Sequence, residues 1–239
     1  VKLAGGVNVL VPAGIEQDFK ITPQQLDDAI TPHTRLVMLC SPSNPSGSVY
    51  SRRELQGLVD VLAKHPHVMV LSDEIYEHIN YIGGVTSMGS FPEIADRVIL
   101  VNGVSKAYAM TGWRVGFMAG PVEVAKAVTK LQGQTTSGIS TIAQRAALAA
   151  YEGSQQCVED MRLAFERRRD LVVGLAREIP GLKVNRPDGA FYLFPEVSAY
   201  LGKRFGDKVI ADDNDLCMYL LEQAHVATVS GSAFCLPGY

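Results

Sequence analysis

Val98-Ile99-Leu100-Val101-Asn102-Gly103-Val104-Ser105-Lys106 is the stretch on which the reading of the fold turns. Its first four residues are an unbroken apolar run rich in β-branched side chains, without polar alternation. A run this short and this apolar reads as a strand covered on both faces. It then breaks into Asn, Gly, Ser and Lys. Upstream the same arrangement occurs twice. Val68 to Leu71 runs into Ser72-Asp73-Glu74-Ile75-Tyr76, and Leu36 to Leu39 runs into Ser41-Pro42-Ser43-Asn44-Pro45-Ser46-Gly47. Downstream, Val115 to Ala119 reads as a further strand of the set.

Helical patterns separate these strands. Thr22 with Pro23 behind it opens a helix through Ile30, as an N-cap followed by proline at the first helical position. Ser51 and Glu54 form a capping box for a helix to about Lys64, with Leu55, Leu58, Val59 and Leu62 on one face. Val122–Leu131 and Thr141–Tyr151 read as further helices. Apolar strands alternating with helices predict an α/β fold, a three-layer αβα sandwich around a mostly parallel sheet. A long amphipathic segment from Ser154 to about Ile179 follows, with Val158, Met161, Phe165, Val172, Leu175 and Ile179 at helical spacing. Beyond it the texture changes to a smaller α+β unit: Leu182–Val184, a Pro187-Asp188-Gly189 turn, a strand Ala190–Phe194, a helix Asn214–His225 and a strand Val226–Val229. Val7–Val11 is one more strand expectation. The division is therefore a large domain over 1–153, and a connector helix with a small domain over 154–239.

Composition narrows the function classes. The 239 residues are 47% hydrophobic and 20% charged, with a net charge of −3. That balance suits a globular domain pair and offers no basic footprint for nucleic acid. No apolar run approaches bilayer length, so no membrane segment is expected. Cys40, Cys157, Cys217 and Cys235 are scattered, which predicts reduced, buried thiols rather than a disulfide framework, and a cytoplasmic setting. The histidines suggest no metal site. Arg167-Arg168-Arg169 is expected on the solvated face of the long helix. Tyr192 is expected to pack under the small domain, with an approach to substrate as the other reading. Val1 in place of Met and the ending at Pro237-Gly238-Tyr239 suggest a segment of a longer protein.

In open α/β sheets ligands bind beyond the carboxyl ends of the strands. Asn44, Asp73, Tyr76, Ser105 and Lys106 would therefore converge on one crevice: amide, acid, phenol, hydroxyl and amine. On the residues alone, Asp73 also suits a helix N-cap, Asn44 turn chemistry beside proline, and Arg114 a surface ion pair.

Ser105-Lys106 followed by Gly112-Trp113-Arg114-Val115-Gly116 matches the pattern S-K-x₅-G-x-R-x-G. Asp73-Glu74-Ile75-Tyr76 precedes the lysine by 33 residues, and Asn44 precedes the aspartate by 29. In order and spacing these motifs resemble the aspartate aminotransferase family, the class I/II (fold-type I) enzymes dependent on pyridoxal 5'-phosphate. Asn102–Gly116 most resembles the bacterial aspartate/prephenate branch. The resemblance covers essentially the whole chain. It implies that Lys106 is catalytic and forms a Schiff base with the cofactor. Asp73 would pair with the pyridine nitrogen, Tyr76 and Asn44 would hydrogen-bond the phenolic oxygen, and Ser105 with Arg114 would grip the phosphate. It also implies a cis Asn44–Pro45 bond. The implied activity transfers an amino group from an amino acid, aspartate or similar, to 2-oxoglutarate. The implied partners are amino-acid and 2-oxo-acid substrates and a second copy of the chain in a homodimer. The same residues would serve a β-lyase, decarboxylase or synthase, or the sensing domain of a transcription regulator. The family's glycine-rich phosphate loop, its ring-stacking aromatic and its substrate-carboxylate arginine correspond to segments outside these 239 residues.

Overall fold

A computed structural model describes residues 1–239. Ser51 and Glu54 close the expected capping box, the Glu54 amide donating to Ser51 Oγ and the Ser51 amide to Glu54 Oε2. The helix they start, α2 (Arg52–Leu62), buries Leu55, Leu58, Val59, Val61 and Leu62. Helix α1 (Pro23–Ala29) starts in the same way, with Gln25 completing a box on Thr22. Leu26 of α1 joins the face of α2 over Val68, Val70 and Val98, where Met88, Phe91 and Ile94 from the connecting loop close the core. Each of these larger aliphatic side chains contributes about 1.5–3 kcal/mol on leaving water.

Beneath α2 lie strands β1 (Leu36–Cys40), β2 (Met69–Asp73) and β3 (Val98–Gly103), all parallel, in the order β1-β2-β3-β4. The register pairs Cys40 with Asp73 and Asp73 with Val101, so β1 and β2 end level and β3 runs two residues further. Val37 and Leu39 of β1 pack toward the core, whereas Leu36 and Met38 on its other face are exposed. The fourth strand, β4 (Gly116–Ala119), runs antiparallel to β3. Twelve residues without a crossover helix join the two, and a return that short reverses the chain. Helices α3 (Val122–Thr135) and α4 (Thr141–Glu152) bury little: none of α3, and only Ala143 and Ala147 of α4. No helix is long and apolar enough to cross a membrane.

Helix α5 (Gln156–Arg177) is the expected long helix, but its buried line runs through Val158, Arg169, Val173 and Ala176. Val172, Leu175 and Ile179 face outward. The remainder holds a two-stranded hairpin, β5 (Arg204–Phe205) with β6 (Lys208–Val209), and helix α6 (Asp213–Ala224). Three expected strands do not form. Val7–Val11 and Val226–Val229 have no pairing partner, and Val7, Val9, Val226 and Val229 stay exposed. In Ala190–Phe194 the backbone amide of Ala190 goes to the Ile79 carbonyl instead of a ladder. The four cysteines are free as expected, but none is fully buried, and Cys157 and Cys235 are exposed.

Two outcomes follow from this packing. Leu58, wholly buried at the centre of α2, should cost about 2–5 kcal/mol when replaced by Ala, read as a lower urea midpoint at unchanged slope. The buried Tyr50 hydroxyl accepts a hydrogen bond from the Ile21 amide, and burial pushes its pKa up to about 12. The folded value is raised above the unfolded one, so this contribution is complete below the unfolded pKa of a phenol and is lost as pH rises towards 12. The urea midpoint should therefore fall through that window more steeply in the wild type than in Tyr50→Phe.

Candidate active site

The strand register sets Cys40, Asp73 and Val101 side by side, and the residues at and beyond these strand ends form the candidate site. Asp73 and Glu74 are successive, and their carboxylates part company. Asp73 Oδ1 accepts from the Ile75 amide at 3.2 Å, so the acid stabilises a turn, not a helix start. Glu74 is buried and its Oε1 accepts from Ser72 Oγ, Ser87 Oγ and the Met88 amide. Burial raises the Glu74 pKa, and those three donors work in the opposite direction.

Tyr76 is buried, with its ring set edge-on to both Phe191 and Tyr192. Its hydroxyl is hydrogen-bonded to the hydroxyl of Tyr192. Burial first, and then the Tyr192 hydroxyl, holds the Tyr76 phenol above its ordinary pKa. Lys106 is half-buried, and its amine lies 5.8 Å from the centroids of both the Tyr76 and Phe191 rings. The ammonium group thus meets aromatic faces instead of a carboxylate, a favourable contact for a cation.

Asn44 lies on the exposed rim of the loop after β1. That loop is closed by hydrogen bonds from the Gly47 amide to the Ser43 carbonyl and from the Ser43 amide to the Ser48 carbonyl. The Asn44–Pro45 bond is cis, as expected, and Ser41–Pro42 is cis as well. The Asn44 backbone amide faces the Cys40 thiol, whose pKa is pushed up to about 11 by burial, with Asp73 adding to the rise. Cys40 is therefore a neutral neighbour of Asp73 and Tyr76 that the sequence did not single out.

Arg114 lies two residues ahead of the reversed β4. Gly103 pairs with Gly116, and the Val104 amide donates to the Val115 carbonyl. A Cβ on Gly103 would lie 2.7 Å from the Val115 carbonyl oxygen and 2.8 Å from Gly116 Cα, so glycine is required for this approach. Arg114 itself is exposed, in a left-handed conformation at φ 56°, and its guanidinium donates to the Thr111 carbonyl at 3.0 Å.

Two expectations about the smaller unit are corrected. Tyr192 does not pack away under it; it reaches Tyr76. The turn before it is anchored from both sides. The Asp188 and Gly189 amides both donate to the Gly47 carbonyl, and the Tyr81 amide donates to the Asp188 carbonyl. Gly189 is packed against Pro42 and the Ile79 carbonyl so closely that a Cβ there would stand 2.7 Å from Pro42 Cβ. Arg169 is not on the solvated face of α5. Its guanidinium donates to the Pro187 carbonyl, pairs with Asp170 and Glu166, and lies 4.4 Å from the Tyr81 ring centroid. Arg167 and Arg168 are exposed as expected. The signal for both corrections was the Pro187-Asp188-Gly189 turn: a bent backbone with carbonyls to satisfy, directly ahead of Phe191-Tyr192.

Comparison with known proteins places the chain in a family. The family model for aminotransferase class I and II matches residues 1–239. An aspartate/prephenate aminotransferase of Cereibacter sphaeroides is 47% identical over 239 residues, an alignment covering 99% of this chain and 60% of that protein. An aspartate aminotransferase of Rhizobium meliloti is 48% identical over 239 residues, covering 99% of this chain and 58% of its own length. Among solved structures, an aspartate aminotransferase from Rhizobium meliloti superposes with a TM-score of 0.91 at 47% identity, over 95% of this chain and 58% of that one. An aromatic aminotransferase from Pyrococcus horikoshii superposes with a TM-score of 0.91 at 36% identity, over 99% and 62%. The chain thus spans about 60% of the length of the curated relatives it matches. With strand order, motif spacing and a full-length family match in agreement, this chain belongs to the class I and II aminotransferases.

Proposed function

We propose that the protein is a pyridoxal 5'-phosphate-dependent aminotransferase that moves the amino group of an acidic amino acid, aspartate or similar, to a 2-oxo acid such as 2-oxoglutarate. The observation that carries this reading is the Lys106 amine lying beside the Tyr76 and Phe191 rings just beyond the carboxyl ends of parallel strands. The donor set around it suits the cofactor. Asp73 has a second carboxylate oxygen beyond the one bonded to Ile75, and Arg114 has donors to spare beyond Thr111. The names of the relatives support aspartate as donor.

When bound, the cofactor supplies a carbonyl carbon for the amino group and a ring that accepts the electron pair released at the substrate α-carbon. Lys106 would hold the cofactor, and its amine, when free, would move a proton at the substrate α-carbon. Asp73 keeps a proton on the ring nitrogen. Tyr76 and Asn44 donate to the phenolic oxygen, and Ser105 with the planar fork of Arg114 binds the phosphate. Residues 1–153 act as the cofactor-binding domain. Residues 154–239 form the connector and small domain, which brings Tyr192 to the site. A homodimer in the cytoplasm completes the proposal, supported by apolar side chains left exposed on α3, α4 and β4, among them Leu131, Ile142 and Phe117.

The purified protein mixed with pyridoxal phosphate should develop a visible absorbance band, which aspartate bleaches and 2-oxoglutarate restores. Lys106→Ala should abolish the covalent band and lower turnover by about 100- to 10,000-fold or more. A folded wild type with no band that depends on Lys106 would sink the assignment. Arg114→Ala removes a charge-assisted contact and should weaken cofactor binding roughly 10- to 100-fold, read by equilibrium titration of the same band.

A further inference from the structure

The hydroxyl of Tyr192 has one hydrogen-bonding partner, the hydroxyl of Tyr76. Nothing else fixes the direction of its proton, and either oxygen of the pair can be the donor. A phenol carries one proton and two acceptor lone pairs. If the single proton of Tyr76 points to a third group, the proton between the two oxygens must come from Tyr192. The rings are placed to hold that arrangement: Tyr192 lies edge-on to Tyr76 at 5.6 Å and against Phe191 at 4.6 Å between centroids. The Pro187–Ala190 turn, bonded to Gly47 and Ile79 and clamped by Arg169, fixes the backbone from which Tyr192 projects.

We propose that Tyr192 is a positioning residue that donates its hydroxyl proton to Tyr76 and so directs the proton of Tyr76 onto the phenolic oxygen of the bound cofactor. The inference rests on the reading given above, that Tyr76 meets that oxygen. Two O–H bonds in series polarise one another, so Tyr76 is a stronger donor with Tyr192 behind it than without. A stronger donor stabilises negative charge on the phenolic oxygen and lowers the proton affinity of the cofactor chromophore. Tyr192 comes from the segment after α5 and Tyr76 from the segment after β2, so the chromophore reports whether the two units are seated together.

The test is a pH titration of the visible band in the protein loaded with pyridoxal phosphate, for wild type, Tyr192→Phe, Tyr76→Phe and the double variant. Loss of one neutral hydrogen bond in the chain should raise the proton affinity of the chromophore about three- to tenfold in Tyr192→Phe, a midpoint higher by about half to one pH unit. Tyr76→Phe should also raise it, and adding Tyr192→Phe to Tyr76→Phe should change nothing more. Incorporating 3-fluorotyrosine at position 192 keeps the ring and strengthens the donor, so the midpoint should fall. An unchanged midpoint in Tyr192→Phe with the band intact overturns the proposal. A lower midpoint overturns it too, because Tyr76 would then have been donating to Tyr192. A band lost in Tyr192→Phe but unmoved by fluorination makes Tyr192 a packing residue and overturns it as well. A wild type without any band fails earlier, at the cofactor assignment itself, and takes this inference with it.

Discussion

The backbone contact between Gly103 and Gly116 is the constraint on which the site is built. The two glycines are paired across β3 and β4, and a methyl group at position 103 would overlap the carbonyl oxygen of Val115. Because the strands can approach at that point, the chain leaving β3 and the chain entering β4 stay together beyond the last ladder pair. The last bond of that approach, from the Val104 amide to the Val115 carbonyl, lies two residues before Lys106 and one after Arg114. A parallel fourth strand, with its obligatory crossover, would have delivered Arg114 to the far end of the sheet.

A second constraint acts from the opposite side. The Gly47 carbonyl accepts two amides from the Pro187–Ala190 turn, and the Ile79 carbonyl accepts a third. Arg169 satisfies the Pro187 carbonyl from α5, so a charged side chain in the buried line of that helix acts as a strut rather than a flaw. Its guanidinium is balanced by Asp170 and Glu166 and covered by Tyr81, which is the condition under which a buried charge is tolerated. The loops after β1 and β2 and the segment after α5 are thus fastened to each other, and Tyr76 and Phe191, from two of them, lie beside the Lys106 amine.

Most of the parallel sheet was legible because fully apolar strands and capped helices carry their signals locally. Ser51 and Glu54, or Val98 through Val101, need no partner to be read. The place of the candidate site was legible for a related reason: the segments that follow the parallel strands share one end of the sheet. What escaped was whatever depends on pairing across long separations. Val115–Ala119 looks the same whether its neighbour runs parallel or antiparallel. Val7–Val11 has strand composition without a strand beside it. Tyr192 and Arg169 look like a packed aromatic and a surface cation until the 187–190 turn is fastened to residues more than a hundred positions earlier.

The alternation of Asp73 and Glu74 has a consequence for how this sequence can vary. Two like carboxylates one residue apart face different surroundings, one the crevice and the other a cluster of hydroxyl and amide donors in the interior. Side chains on an extended chain change face with every step. Deleting a single residue in β2 would bring Glu74 to the place of Asp73 and Ile75 to that of Glu74, and inserting one would bring Ser72 and Asp73 into those places, so either change removes an acid from one of the two surroundings and puts the wrong length of side chain in the other. Substitution can be absorbed along this strand, but a one-residue change in its length cannot, and the reading frame of the strand is itself part of the site.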